Sequence, residues 1–119
     1  MQVEMDPIRV NAKFSHVPPS TLAEFKRAAA QAQDLTKREP GALQYDWFFN
    51  DDQTVCIVHE AYVDSAAVTA HIGNLGDVFG KLLETGGGCS FEVFGNPSRE
   101  LRDAVSGLDL TVFAHFQGK

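Results

Sequence analysis

Four side chains that can exchange or hydrogen-bond a proton lie close together in the middle of the chain: His59, Glu60, Tyr62 and His71. Histidine titrates nearest to neutral pH, so an enclosed histidine is a good proton acceptor. A carboxylate beside it can orient the imidazole ring, and a tyrosine hydroxyl can bind a substrate oxygen. These residues predict a pocket in which a proton is removed from a small bound compound.

The order of the local elements supports this grouping. Residues two apart on a strand share a face, so in the apolar run 54–62 the side chains of Glu60 and Tyr62 point one way and that of His59 points the other. The next helix must fold back over the sheet, with His71 among small alanines on its inward face. The result is an apolar cavity with a few convergent polar groups, which is the usual form of a small-molecule site.

Each proposed catalytic residue has a plainer alternative that the sequence leaves open. His71 could hydrogen-bond a backbone carbonyl in the core. Glu60 could pair with Arg9 or Lys13, because a buried carboxylate normally has a partner. Tyr62 could be a packing residue with its hydroxyl at the rim.

Four further residues are candidates for substrate contact: Trp47, Asn74, Phe79 and His59. Trp47 or Phe79 would line a bound ring, and Asn74 would hydrogen-bond a substrate oxygen. The alternatives are that Trp47 anchors the core or a dimer, that Asn74 only caps the third helix, and that His59 faces a second subunit.

Periodicity and turn chemistry predict the elements that carry these residues. Thr21 and Glu24 have the form of a capping box at the start of the first helix, and Asp64 is placed to cap the second. Gly73 is expected to separate the second helix from the third. The predicted strands are 7–14, 43–49, 54–62, 90–94 and 110–116, and the predicted helices are 22–39, 65–72, 75–84 and a short one after 96–98.

The order β-α-β-β-α-β predicts an α+β, ferredoxin-like fold with an antiparallel sheet. Helices would cover one sheet face, and a second subunit would cover the other, because an apolar face left in water would form a large exposed patch. Two such sheets packed together form a dimeric α+β barrel. The last strand could extend the sheet or cross to the other subunit. The residues expected on the uncovered face are Phe48, Phe91, Val93 and Phe113.

The bulk properties narrow the function classes. At 119 residues the chain is expected to be one domain, with a core of about 8–95 and a helix-strand extension of about 96–119. The net charge of −6 argues against nucleic acid. No run spans a bilayer and no signal peptide is apparent, so we expect a cytoplasmic protein with reduced cysteines. Hydrolase, zinc and dinucleotide motifs are absent, and no cofactor or metal is expected.

A sequence pattern carries a family resemblance. Glu39-Pro40-Gly41, Tyr45, Glu60 and 64–71 resemble, in order and spacing, the Glu-Pro-Gly, Tyr, Glu-x-Trp-x-Asp and Ala-His pattern of the antibiotic biosynthesis monooxygenase family. With its flanking elements the resemblance covers about 8–94. It implies a homodimer with a pocket in each subunit between the helices and the sheet. Tyr62 stands where the family usually has tryptophan, which weakens a haem-degrading function.

The resemblance implies a cofactor-independent monooxygenase that oxidises a phenol, quinol or anthrone with O2. In that scheme His71 is the base, Glu60 orients it, and Tyr62 and Asn74 hydrogen-bond the substrate oxygen. A non-catalytic dimer that binds a small hydrophobic metabolite is the alternative, and a haem-binding or haem-degrading protein is a third. Similar folds do not guarantee similar function.

Overall fold

The computed structural model describes residues 6–119, in which five strands and four helices follow one another. A single 3₁₀ turn, Pro19–Thr21, precedes the first helix. In chain order the elements are β1 (Ile8–Phe14), α1 (Leu22–Thr36), β2 (Ala42–Phe49), β3 (Cys56–Tyr62), α2 (Ser65–Leu75), α3 (Asp77–Thr85), β4 (Ser90–Phe94), α4 (Arg99–Ala104) and β5 (Leu110–Phe113).

The strands form one sheet in the order β2-β3-β1-β4-β5. The strand β1 lies between β3 and β4 and is antiparallel to both, and β2 forms an antiparallel hairpin with β3. This arrangement confirms the predicted α+β, ferredoxin-like fold. The strand β5 pairs in parallel with β4, so the last strand extends the sheet of its own chain.

The two faces of the sheet differ in burial. Alternate residues such as Val10 and Val58 are buried on the helix-covered face, whereas Phe48 is 52% exposed and Phe113 is 43% exposed on the open face. The prediction that Val93 also lies on the open face is wrong, because it pairs with Val10 and is buried.

The prediction that Phe91 lies on the open face is also wrong, since Phe91 pairs with Ala12 on the helix-covered face and is only partly exposed. Apolar residues occur on both faces of β4, where Phe94 points to the open side together with its partner Arg9. The strand's own sequence therefore does not define its inward face, and only the pairing with β1 decides it.

The predicted helix break at Gly73 is wrong, because α2 continues through it to Leu75. The chain turns instead at Gly76, whose φ of 52° lies in the left-handed region that favours glycine. The Gly76 amide donates to the carbonyl of Ile72 at 3.2 Å and so ends the helix. This later turn keeps residues 71–75 on one continuous helix.

The two predicted N-terminal caps have different outcomes. The Asp64 side chain accepts a hydrogen bond from the Ala67 amide at 2.9 Å, which confirms the cap of α2. The capping box at Thr21 is wrong, because its side chain makes no cap hydrogen bond. The Thr21 hydroxyl donates instead to the Thr85 carbonyl at 2.7 Å and ties the start of α1 to the end of α3.

Two buried apolar clusters fill the space between helices and sheet. The first surrounds Phe25 and joins α1, α3 and the β2–β3 hairpin. The second includes Tyr62, Leu101 and Val105 and joins α2 and α4 to β1, β3 and β4. The C-terminal elements therefore contribute to the core, and the helix α2 lies between the two clusters.

Candidate functional site

The polar residues of the helix-covered face meet around His71, which is 4% exposed. Tyr45 on β2 pairs with Glu60 on β3, so both side chains point at the underside of α2. The His71 ring lies edge-on to Tyr45 with 4.9 Å between ring centroids, and 5.3 Å from the ring of Tyr62. The strands and α2 therefore enclose the imidazole between two aromatic rings.

Glu39 is the direct partner of His71. Its two carboxylate oxygens lie 3.0 and 3.1 Å from Nδ1 of the imidazole. Asn74, one turn further along α2, donates from Nδ2 to Glu39 Oε2 at 2.8 Å and to the carbonyl of Leu35 at 3.0 Å. The carboxylate is thereby fixed between the end of α1 and the last turn of α2.

Gly41 explains how α2 can pack so close to this carboxylate. A Cβ atom at Gly41 would lie 2.7 Å from the Cβ of Ala67 on α2, which leaves no room for a side chain. The carbonyl of Gly41 also accepts a hydrogen bond from the Val63 amide at 2.9 Å. The helix α1 already ends at Thr36, so the predicted helix end at Glu39 is wrong. The role of the Glu-Pro-Gly segment is different, because its glycine allows the approach that brings Glu39 to His71.

The contact with Glu39 determines which nitrogen of His71 carries the proton. A carboxylate can only accept, so Nδ1 is the donor and Nε2 keeps its lone pair. Burial lowers the pKa of His71, and the charge and hydrogen bond of Glu39 act in the opposite direction. The lowered pKa favours a neutral ring at neutral pH, and a neutral ring can accept a proton.

Glu60 lies on the other side of the imidazole. Its Oε1 is 3.9 Å from His71 Nε2, which is too far for a hydrogen bond, and it accepts a short hydrogen bond of 2.5 Å from the Tyr62 hydroxyl. The pKa of Glu60 is raised to about 7, chiefly by burial and to a smaller extent by the charge of Glu39, against the lowering effect of the hydrogen bond from Tyr62. Glu60 therefore exchanges its proton near neutral pH.

His71 Nε2 and Glu60 Oε2 make no hydrogen bond within residues 6–119. Every fully buried side-chain nitrogen or oxygen of that part of the chain has a partner. These two atoms must therefore retain some access to the space beside them. A proton acceptor and a carboxyl oxygen are consequently both available to a bound molecule.

That space is a cavity between the sheet and the helices α2, α3 and α4. Its lining crosses all five strands, from Tyr45 on β2 to Val112 on β5, and the centre of a water molecule can occupy about 70 Å³ of it. Trp47 and Phe79 contribute aromatic surface, and most other lining groups are aliphatic. The cavity suits a slender, largely apolar ligand whose polar end meets His71 and Glu60.

The structure brings His71, Glu60, Trp47 and Phe79 to the cavity. The reactive roles predicted for His71 and Glu60 stay predictions. Arg9 and Lys13 pair with residues of the open face, so neither is the partner of Glu60. The order of contacts differs from the expected one, because Glu39 and not Glu60 holds the imidazole.

Three predicted residues lie elsewhere. His59 is exposed on the open face, where it packs against Phe48 at 5.1 Å, so the prediction that it shares the pocket is wrong. Tyr62 is fully buried behind Glu60 and does not line the cavity, so it cannot bind a substrate oxygen there. Asn74 neither lines the cavity nor caps α3, whose N-cap is Gly76.

Two residues of the site, Glu39 and Tyr45, are not among the residues predicted to form it. Glu39 and Tyr45 are both part of the sequence pattern, but Glu39 was interpreted only as a helix end and Tyr45 only as a strand residue. The available signal was their spacing to Glu60 and His71 in that pattern. Burial and the nearby charges of Glu60 and Glu39 raise the pKa of Tyr45, so its hydroxyl stays protonated.

Within residues 6–119 no group of three His, Cys, Asp or Glu side chains is arranged to hold a metal ion. No helix in that same range is long and apolar enough to cross a membrane.

The comparisons with known proteins agree with this architecture. A family model described as antibiotic biosynthesis monooxygenase matches residues 7–74, which include Glu39, Glu60 and His71. The structure of MupZ from Pseudomonas fluorescens is similar with a TM-score of 0.76 and 23% identity, and the alignment covers 98% of this chain and 94% of that chain.

Two further structures are similar. A Caulobacter crescentus protein has a TM-score of 0.68 and 24% identity over 79% of this chain and 92% of its own. A conserved protein from Methanosarcina mazei has a TM-score of 0.66 and 22% identity over 75% of this chain and 91% of its own. At these identities the structural likeness concerns the fold alone. No curated protein matches the chain.

Proposed function

Since this chain belongs to the antibiotic biosynthesis monooxygenase family, we propose that it is a cofactor-independent monooxygenase that oxidises a small aromatic phenol, quinol or anthrone with O2. One observation carries the proposal. A buried imidazole is held at Nδ1 by Glu39 and presents a free Nε2 to an apolar cavity.

His71 is the proposed base. Glu39 fixes its tautomer and stabilises the imidazolium that forms when Nε2 takes a proton from the substrate. Asn74 is a positioning residue, because its amide holds Glu39 and not the substrate. Base catalysis of this kind contributes on the order of 100-fold or more to a rate.

Proton removal leaves an electron-rich substrate anion, which can pass one electron to O2. Recombination of the substrate radical with superoxide forms a carbon–oxygen bond and gives a peroxide. Loss of water from the peroxide then gives the carbonyl product. For an anthrone the CH2 group and O2 become C=O and H2O, so the substrate supplies all the reducing electrons and no external reductant is consumed.

Glu60 suits the later step of this scheme. A carboxyl with a pKa near 7 can carry a proton at neutral pH and deliver it to the departing peroxide oxygen. Tyr62 holds the position of Glu60 from behind. The apolar lining around Trp47 and Phe79 offers water few hydrogen-bond partners, which helps to protect the radical pair and the anion.

The test is oxygen consumption by purified protein with a panel of naphthols, quinols and anthrones. We expect uptake above autoxidation, lowered ~100-fold or more in His71→Ala. The matched control is His16→Ala, which removes an exposed histidine far along the chain from the site. Uptake that is unchanged in His71→Ala would refute the role of the base.

A folded protein that binds these compounds but consumes no O2 would favour the alternative, a small-metabolite-binding protein. The observation that supports this alternative is the same cavity, which is largely apolar and has few polar contacts. Ligand identification by mass spectrometry of the protein as isolated would then be the next experiment.

We also propose that two chains associate through the open face to form a dimeric barrel. Phe48 and Phe113 are exposed there, and oppositely charged side chains such as Lys13 and Glu92 lie between them. Phe48→Glu should shift sedimentation toward the monomer. Ala30→Glu, on the exposed side of α1, should leave it unchanged, and equal sedimentation of both variants would contradict this interface.

The free thiols Cys56 and Cys89 are compatible with a reducing compartment, and we propose that the protein acts in the cytoplasm. Fractionation of the native host with an antibody against the chain tests this placement.

A further inference from the structure

One wall of the cavity is built by the C-terminal part of the chain. Residues from the segment 97–112 close this wall, beyond the region 7–74 that the family model matches. They are Pro97, Leu101, Arg102, Val105, Leu108, Leu110 and Val112. His71 and Glu60 lie within the region that the family model matches, whereas this wall lies outside it.

Arg102 differs from every other residue that lines the cavity within residues 6–119. It is the one exposed lining residue and the one with a positive charge. A lining residue that is itself exposed marks the opening of the cavity to solvent. Arg102 lies on α4, and the cavity extends from this helix to Glu60 on β3.

The guanidinium of Arg102 is partly fixed. Its Nε donates to the carbonyl of Pro97 at 3.2 Å, which leaves both terminal amino groups free. No carboxylate of the described residues forms an ion pair with it; the charged neighbours Glu100 and Asp103 on α4 do not line the cavity. An oriented guanidinium of this kind binds a carboxylate in a two-point contact.

The charges of the lining residues also determine which end of a ligand lies beside His71. The inner region is lined by Glu60, and Glu39 lies on the other side of the His71 ring, so an anionic group there would be close to two carboxyls in a desolvated site. Among the lining residues of the described chain, the opening holds the only cation. A hydroxylated ring at His71 and an acidic group at Arg102 are the arrangement that satisfies both regions.

We infer that the substrate is a slender aromatic acid whose hydroxylated ring reaches His71 and whose carboxylate, at the opposite end, is bound by Arg102 at the mouth of the cavity. This inference rests on the proposed function for the identity of the reacting end. Arg102 is thus a specificity-determining residue and takes no part in the chemistry.

The test compares two probes that differ only in the carboxylate, 2-naphthol and 6-hydroxy-2-naphthoate, by calorimetric titration of the full chain without turnover. We expect the wild type to bind the acid about 10-fold more tightly, the gain typical of a charge-assisted hydrogen bond. Arg102→Gln should abolish that preference, and Arg102→Lys should keep part of it. Arg99→Gln, on the same helix but outside the cavity lining, is the matched control.

Equal affinity for the two probes in the wild type, or no binding of either, would overturn the inference. So would an equal loss of preference in Arg99→Gln, which would indicate a diffuse charge effect. The outcome of the oxygen assay does not depend on the outcome of this binding test. A carboxylate preference that depends on Arg102, found without oxygen uptake, would overturn the proposed monooxygenase activity and leave the binding site standing.

Discussion

Replacing Glu60 by Gln should change how the stability of the protein depends on pH. Burial raises the pKa of this carboxyl from 4.5 to about 7, so between these values the folded chain holds a proton that the unfolded chain releases. The contribution of Glu60 to stability is thus fully present below pH 4.5 and is lost as pH rises to about 7. The amide introduced by Glu60→Gln cannot ionise, yet its oxygen can still accept a hydrogen bond from Tyr62.

The magnitude follows from the shift in pKa. At 1.36 kcal/mol for each unit, ionising Glu60 in the folded state costs about 3 kcal/mol relative to the unfolded state. About 2 kcal/mol of this penalty should develop between pH 5 and pH 8. The free energy of unfolding of Glu60→Gln, measured relative to wild type, should therefore rise by that amount over this interval. His71 titrates in both proteins, so its contribution largely cancels in the difference.

The assay is urea unfolding followed by circular dichroism at pH 5, 6, 7 and 8, at one protein concentration. Glu84→Gln, which makes the same replacement at an exposed glutamate on α3, is the matched control. A difference for Glu60→Gln that does not rise with pH beyond that of the control would refute the reasoning, since it would mean that burial does not keep the Glu60 carboxyl protonated.

Three other predictions concern the same site. Glu39→Gln should lower the pKa of His71, because the charge of Glu39 raises it, and should slow oxygen uptake ~10-fold or more. NMR titration of the His71 ring measures that pKa, and an unchanged value would contradict the prediction. Gly41→Ala should destabilise the fold by ~1–3 kcal/mol, since its Cβ would lie 2.7 Å from the Cβ of Ala67; Ala67→Gly in the same chain should recover most of the loss in thermal unfolding, and no recovery would contradict the clash. The fluorescence of Trp47, the single tryptophan, should be quenched by naphthols that enter the cavity it lines, and saturable binding without any change in emission would exclude that position for the ligand.

The fold could be predicted in large part because its elements have strong local signals. Alternation over Ile8–Phe14 and the polar turn before Cys56 define strands and a hairpin without reference to the rest of the chain. The failures occurred where two local signals competed. Gly73 resembles a helix break, but it is followed by Gly76, which takes the left-handed conformation that ends α2.

The site was predicted in its parts but not in its connections. Strand parity placed Glu60 on the inward face, and helix spacing placed His71 over the sheet. The partner of His71 was misassigned, because Glu39 is 32 positions away in sequence and reaches the ring only through the packing of α2 on Gly41. Tyr62 shares a strand face with Glu60, but parity does not tell whether a side chain lines a cavity or lies behind it.

The sequence by itself determined the elements, the order β-α-β-β-α-β and the inward faces of β1 and β3, because hydrophobic periodicity and turn chemistry act between near neighbours. Tertiary structure alone decided that Glu39 holds His71, that β5 extends the sheet in parallel with β4, and that Arg102 lines the cavity. These are contacts between segments that are distant in sequence. Their distances depend on how the helices pack on the sheet, and a local sequence pattern does not predict that packing.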